Sequence, residues 1–367
     1  MSSSRWLVVV AFAAVLAVGV AACGSSDSET GGGSSGAEVS GEIAGAGSTA
    51  QQAAQEAWAA EFENANSGAT VSYDAVGSGG GREQFLAGGV AFAGSDAALS
   101  TEEGELEKAE KRCGSGELIE IPDYISPIAI IFNLPGVEEL KLDPETLAKI
   151  FNQEITSWND PAIAKDNPGV ELPDTRITPV NRSDESGTTE NFTEYLSEVV
   201  PSVWSYEVSG DWPVNGGEAA SGTSGVVEAV NAGEGAIGYA DASQAGELEI
   251  AQVKVGKEWA EPTAEAAAKV LEESSLDKEL SPDQYTFAYK LDRKTEAEGT
   301  YPIVLTSYLI ACTTYKSASE ADLVRAYAEY VISPEGQELA AEQAGSAPLS
   351  PALTQKVTPA VEAIEAG

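Results

Sequence analysis

The chain has 367 residues, with 59 Asp and Glu against 20 Lys and Arg and a formal net charge of −39. Nucleic acid is excluded as a partner, because binding it takes a basic face; solubility at a cell surface, or adaptation to salt, accounts for the excess acid more simply. There is no histidine, which removes Ser-His and Cys-His catalysis and the commonest zinc ligands together, so no metal and no cofactor is expected.

Residues 1–23 read as an export signal: Arg5 in a short polar start, then an apolar run from Trp6 to Ala22 that is too short to favour a membrane span. The run stops at Val20-Ala21-Ala22-Cys23-Gly24, a lipobox pattern in which Cys23 is acylated and becomes the new N-terminus, so the anchor would be lipid. An ordinary signal peptide that contains a cysteine is the plainer alternative. Residues 24–40 are dominated by Gly, Ser and acidic side chains, which cannot build a core and serve as a tether. With Cys23 assigned to lipid, Cys113 and Cys312 remain as an even pair in an oxidising compartment. A disulfide is expected, with two buried free thiols as the alternative.

The remaining roughly 330 residues are enough for two lobes and a cleft. Short apolar strands alternate with helical periods, the pattern of an α/β fold. Gly45-Ala46-Gly47-Ser48-Thr49 opens a helix on which Ala54, Trp58 and Phe62 recur every four residues. Val71-Ser72-Tyr73 is a strand, and Gly77-Ser78-Gly79-Gly80-Gly81 precedes a second helix through Phe85 and Leu86. Val90-Ala91-Phe92-Ala93 is a third strand, leading into Gly94-Ser95-Asp96. The stretch from Ile119 to Leu134 contains Pro122 and Pro127, so it is extended rather than helical, as is Tyr301 to Thr314. Side by side, these two would form a hinge, with Cys113 and Cys312 at their margins. Between them lies a second unit. It comprises a helix over 146–151, a strand over 177–180, a helix from Ser186 with Phe192, Tyr195, Leu196 and Val199 on its apolar face, a helix around 226–230 and a strand over 236–239. A last helix, Glu320 to Ala341, returns to the first lobe. The expected division is 41–124 with 304–367 in lobe I, and 125–303 in lobe II.

Three Gly/Ser/Thr loops at helix starts carry the chemistry. A helix N-terminus has unpaired N–H groups and about half a positive charge, so it accepts an anion without any basic side chain. For a single loop, capping is the plainer role: Ser48 with Gln51 fits a capping box, and Ser186 is a good N-cap. Arg182 follows a strand and precedes Ser183-Asp184-Glu185-Ser186-Gly187-Thr188. Its fork can hold an oxyanion by two parallel bonds while Asp184 orients it, unless the two form only a surface pair of little consequence. Asp96, when ionised, can only accept hydrogen bonds, so it tolerates a ligand that keeps a proton and repels one that has none.

In this order, with Phe151-Asn152-Gln153-Glu154-Ile155-Thr156-Ser157-Trp158-Asn159-Asp160 and Gly235-Ala236-Ile237-Gly238-Tyr239 added, these segments resemble the periplasmic phosphate-binding proteins of the high-affinity phosphate ABC transporter, in lipoprotein form. The likeness runs from Gly45 to the C-terminal helix. It implies a two-lobed α/β periplasmic-binding-protein fold of type II with two hinge strands, and a binder rather than an enzyme. It further implies that inorganic phosphate is held by Ser48, Thr49 and the N–H of Ala50, by Ser78, by Arg182, and by Ser186, Gly187 and Thr188, with Asp96 accepting from the ligand. A phosphate ABC permease of the cytoplasmic membrane is the implied partner of a monomer anchored on the outer membrane face through Cys23. The sequence departs from the pattern twice. Ala50 stands where Phe is common, which thins the apolar wall; Glu185 replaces a Gly, and is expected to turn to solvent. Competing expectations are sulfate, molybdate or a phosphonate on the same fold, a phosphatase-like hydrolase, and a surface adhesin or phosphate-sensing antigen. A dinucleotide enzyme would rest on the G-x-G-x-x-A match at Gly45 to Ala50 with Asp74 after the next strand.

Overall fold

A computed structural model describes residues 39–101 and 103–367; the export signal, Cys23 and the tether through residue 38 lie outside the described residues. The chain begins with parallel strands β1 (Ser40–Gly47), β2 (Gly68–Asp74) and β3 (Phe92–Ser95), connected by α1 (Gln52–Ala65) and α2 (Ser78–Leu86). Trp58 and Phe62 of α1 are buried, as their four-residue spacing requires. Helix α3 (Glu105–Cys113) then leads into β4 (Leu118–Asn133).

The middle of the chain contains β5 (Lys141–Leu142), α4 (Pro144–Phe151), α5 (Pro161–Asp166), β6 (Thr178–Arg182), α6 (Gly187–Val199), β7 (Glu218–Ala220), α7 (Gly222–Ala232) and β8 (Ala236–Asp241). It continues through β9 (Glu249–Val255), β10 (Glu258–Ala260), α8 (Ala264–Glu273), β11 (Ser275–Leu276) and β12 (Tyr289–Lys290). The chain returns through β13 (Val304–Cys312) and ends with α9 (Ala318–Val331), α10 (Pro334–Ala344) and α11 (Pro351–Glu362). Trp58 donates to the carbonyl of Gly336 at 2.6 Å, and Phe62 meets Tyr327 edge to face; the last helices therefore pack on α1.

The main sheet runs in the order β2-β1-β3-β13-β4-β8-β6-β7. Two sides can be told apart: β1, β2, β3 with α1 and α2, and β6, β7, β8 with α6 and α7. The long strand β4 belongs to both. Its residues through Pro127 pair antiparallel with β13, and from Ile128 onward they pair with β8. The expected pairing of the two proline-bearing apolar stretches is thus observed. Every residue of β4 except Asn133 is buried, which is why its sequence is largely apolar rather than alternating, with Glu120, Asp123 and Ser126 as buried polar exceptions. At Asp123 the register with β13 shifts: Pro122 faces Tyr308 and Tyr124 faces Ser307. A proline cannot donate to the ladder, and such an irregularity re-aims the neighbouring side chains.

Cys113 and Cys312 form a disulfide, with sulfurs 2.05 Å apart, joining the end of α3 to the end of β13. The expected single helix from Glu320 to Ala341 is broken. Ser333 caps a new helix by accepting from the N–H of Gly336, and Pro334 takes the first helical position, where its missing N–H costs nothing. The same Ser/Asp-Pro start opens α4, α5 and α11.

Candidate functional site

The strand-to-helix turns of both sides meet. Thr49, between β1 and α1, lies with its hydroxyl 2.9 Å from that of Thr223 in the first turn of α7, and it also accepts from the Thr223 N–H at 3.1 Å. Next to Thr223, the Gly222 N–H donates to Asp184 at 3.0 Å. Asp184 in turn accepts from Nε and Nη2 of Arg182, one edge of the guanidinium, at 2.9 and 2.5 Å. A Cβ at Gly77 would stand 2.7 Å from the Asp184 carboxylate and 3.5 Å from Nη2 of Arg182; glycine there, at φ +91°, lets the first side approach the fork.

The circle closes through Ser78, the first residue of α2. Its hydroxyl accepts from the Asp96 N–H at 3.1 Å. The Asp96 carboxylate accepts from Thr188 at 3.0 Å on one oxygen and from Ser307 of β13 at 2.5 Å on the other. Asn191 of α6 donates to the Asp96 carbonyl at 2.7 Å. A Cβ at Gly187 would fall 2.8 Å from both Asp96 and Ser78, so the first turn of α6 rests directly on the other side. Thr49, Ser78, Asp96, Arg182, Gly187 and Thr188 are all buried. The sequence-predicted residues therefore converge, with backbone donors at the starts of α2, α6 and α7 and one guanidinium among them.

Ser48, Gln51 and Glu185 turn otherwise, while Ser186 keeps its expected cap. The Ser48 hydroxyl accepts from the Ala50 N–H at 3.0 Å, inside its own loop, and Gln51 caps α1 without a side-chain bond, so the expected capping box is not formed. Ser186 does cap α6, accepting from the Thr189 N–H at 3.2 Å, which leaves its own proton to donate. Glu185 does not face solvent as expected: its carboxylate pairs with Arg82 of α2 at 2.8 Å.

Sequence reasoning missed Thr223, Ser307, Asn191 and Gln244, whose amide donates to the carbonyls of Thr49 and Ala50 at 2.8 and 2.9 Å. A signal existed for the first, since Ser221-Gly222-Thr223 repeats the Gly/Ser/Thr composition of the other loops. The 151–160 segment packs behind the site. Phe192 stacks on Tyr239 and Phe151 meets it edge-on, Trp158 donates to the Gly235 carbonyl at 3.0 Å, and the Tyr239 hydroxyl accepts from the Arg182 N–H at 3.3 Å.

The charges are arranged unequally. Burial pushes the Asp184 carboxyl up, but the bonds and charge of Arg182, with the Gly222 N–H, outweigh it and hold the group below its ordinary value. Asp123, at the β4 irregularity, is pushed well up, first by burial and then by the Asp96 charge.

This is the architecture of a binding protein: polar donors converge from the two sides of the molecule across a pair of long strands. The comparisons agree. The model of a PBP superfamily domain matches residues 32–335. The phosphate-binding protein PstS2 of Mycobacterium bovis (strain BCG / Pasteur 1173P2) is 38% identical over 356 residues, 94% of each chain. PstS3 of the same organism is 34% identical, covering 99% of this chain and all of its own. Among solved structures, a high affinity periplasmic phosphate-binding protein bound with phosphate superimposes with a TM-score of 0.71 at 23% identity, over 87% of this chain and 93% of that one. The chain belongs to the PBP superfamily and, within it, to the family of the PstS phosphate-binding proteins.

Proposed function

We propose that the chain is the extracytoplasmic substrate-binding component of a phosphate ABC import system. It takes inorganic phosphate between its two sides and delivers it to a membrane permease. The observation that carries this reading is the ring of buried donors that includes Arg182, held by Asp184, together with the Asp96 carboxylate, bonded to Thr188 and Ser307. Phosphate near neutral pH carries both kinds of group the ring needs: bare oxygens for the N–H, hydroxyl and guanidinium donors, and at least one proton for Asp96. Sulfate lacks the proton, and a bare oxygen against Asp96 would cost about a hundredfold or more in affinity. The site residues are Ser48, Thr49, Ala50, Ser78, Asp96, Arg182, Ser186, Gly187 and Thr188. Asp184 orients Arg182.

In this reading residues 41–124 and 304–367 form one lobe and 125–303 the other; the change of partner along β4 at Ile128 supports the division. Export and acylation at Cys23 would hold the protein at the outer face of the cytoplasmic membrane, where the acidic exterior is screened within about 8–10 Å and the donors act at contact distance. Isothermal titration with phosphate, sulfate and molybdate tests the ligand: one phosphate per chain, with sulfate weaker by about two orders of magnitude, is expected. Equal affinity for sulfate would reject the role of Asp96, and turnover of a chromogenic phosphate ester would reject a pure binder.

A further inference from the structure

Glu185 stands in the turn between Arg182 and α6, yet its carboxylate crosses to the other side of the molecule. It enters a slot between two glycines. A Cβ at Gly79 would lie 1.1 Å from Oε2 of Glu185, and one at Gly210 would lie 2.4 Å from Oε1. At the end of the slot is Arg82, a residue only 3% exposed, whose guanidinium is already fixed on its own side: Nε donates to Glu105 at 3.1 Å and Nη1 to the Ser95 hydroxyl at 3.0 Å. Only Nη2 is left for the opposite side, and it takes Glu185 at 2.8 Å. Glu105 is itself held, accepting from the Ser100 N–H at 3.1 Å. The Ser186 N–H donates to the Gly210 carbonyl at 3.1 Å, so the backbone beside Glu185 is also fixed.

We infer that Glu185 and Arg82 form a latch that fastens the two sides over the bound ligand and slows its release. The inference rests on the phosphate-binding reading for its ligand, though not for its geometry. Arg82 is one side's preorganised socket, and Glu185 is the plug from the other. A buried guanidinium with a waiting third arm strongly favours a carboxylate partner. About a third of the Glu185 side chain remains exposed, which tempers the strength of the contact. The glycine at position 79, whose spacing in the Gly-rich loop is not needed by the ring of donors, is explained as the clearance for the plug.

Two variants act on the latch by different routes. Glu185→Gln keeps the shape and removes the charge; Gly79→Ala fills the slot while favouring the helix it sits in. In stopped-flow measurements both should release phosphate about tenfold faster than the parent, with little change in association rate. Release that is unchanged or slower, or tighter binding in Glu185→Gln, would overturn the latch, since it would mean that the Glu185 charge merely repels the anion. Spin-label distances across the two sides, read without added phosphate, decide the geometry separately: both variants should shift toward longer distances, and unchanged distances would also reject it. If the parent failed to bind phosphate at all, the ligand assignment would fall while the distances still judged the latch.

Discussion

The two sides that meet at the proposed site carry opposite charges in different surroundings. Arg182 lies on the β6 side, tied to one carboxylate of its own turn and backed by the hydroxyl of Tyr239. Asp96 lies on the β3 side, between hydroxyls that come from elsewhere, Ser307 on β13 and Thr188 on α6. The guanidinium is a donor that any oxyanion can use. The carboxylate is an acceptor that rewards only a ligand with a proton to give. Under the proposed function, affinity and discrimination would thereby fall to separate sides, and the separation can be tested one residue at a time.

The largest effect is expected at Arg182. Arg182→Ala removes the only guanidinium in the ring and leaves the ligand's charge without its partner, so phosphate binding should weaken by about 2–5 kcal/mol, and sulfate should weaken in parallel. Calorimetry giving a loss of only a few tenths would make Arg182 peripheral. Asp96→Asn should act differently. The amide can both donate and accept, so the variant should keep phosphate within about tenfold and gain sulfate until most of the roughly hundredfold preference is gone. A competition titration with unchanged selectivity would move discrimination away from this residue and blur the contrast between the sides.

Much of this division was legible in the sequence, because its parts are local. Arg182 and Asp184 are two residues apart, the loops announce themselves by Gly, Ser and Thr ahead of helical periods, and the hinge strands are marked by apolar runs that proline bars from helix. What was not legible depends on register. Ser307 reaches Asp96 because β13 and β4 slip past each other at Asp123, and no local pattern encodes which residue of a fully buried strand pair meets Asp96. Glu185 was misjudged for the same reason: its partner Arg82 is 103 positions away, and the slot exists because Gly79 and Gly210 lack side chains. The break at Ser333-Pro334 is the reverse case, where a local signal was present and was overridden in the reading by the apolar period on either side.

The smallest expected effect concerns the residue that serves the donor side without touching the ligand. Asp184→Asn leaves Arg182 in place but gives it a neutral partner, so phosphate affinity should fall by only about 1 kcal/mol. Its pH dependence separates orientation from direct binding. The folded-state value of Asp184 is depressed, so the pair's contribution to stability is complete above the unfolded-state value, about 3.9, and is lost as pH falls through the lower folded value. Between pH 5 and 8 the parent's hold on Arg182 should therefore not vary on account of Asp184, and the ratio of parent to variant affinity should stay flat. Toward pH 3 and below, the stability difference between the two, followed by thermal unfolding, should shrink. A ratio that drifted across pH 5 to 8 would mean that Asp184 faces the ligand itself, placing a second acceptor on the side assigned to donation.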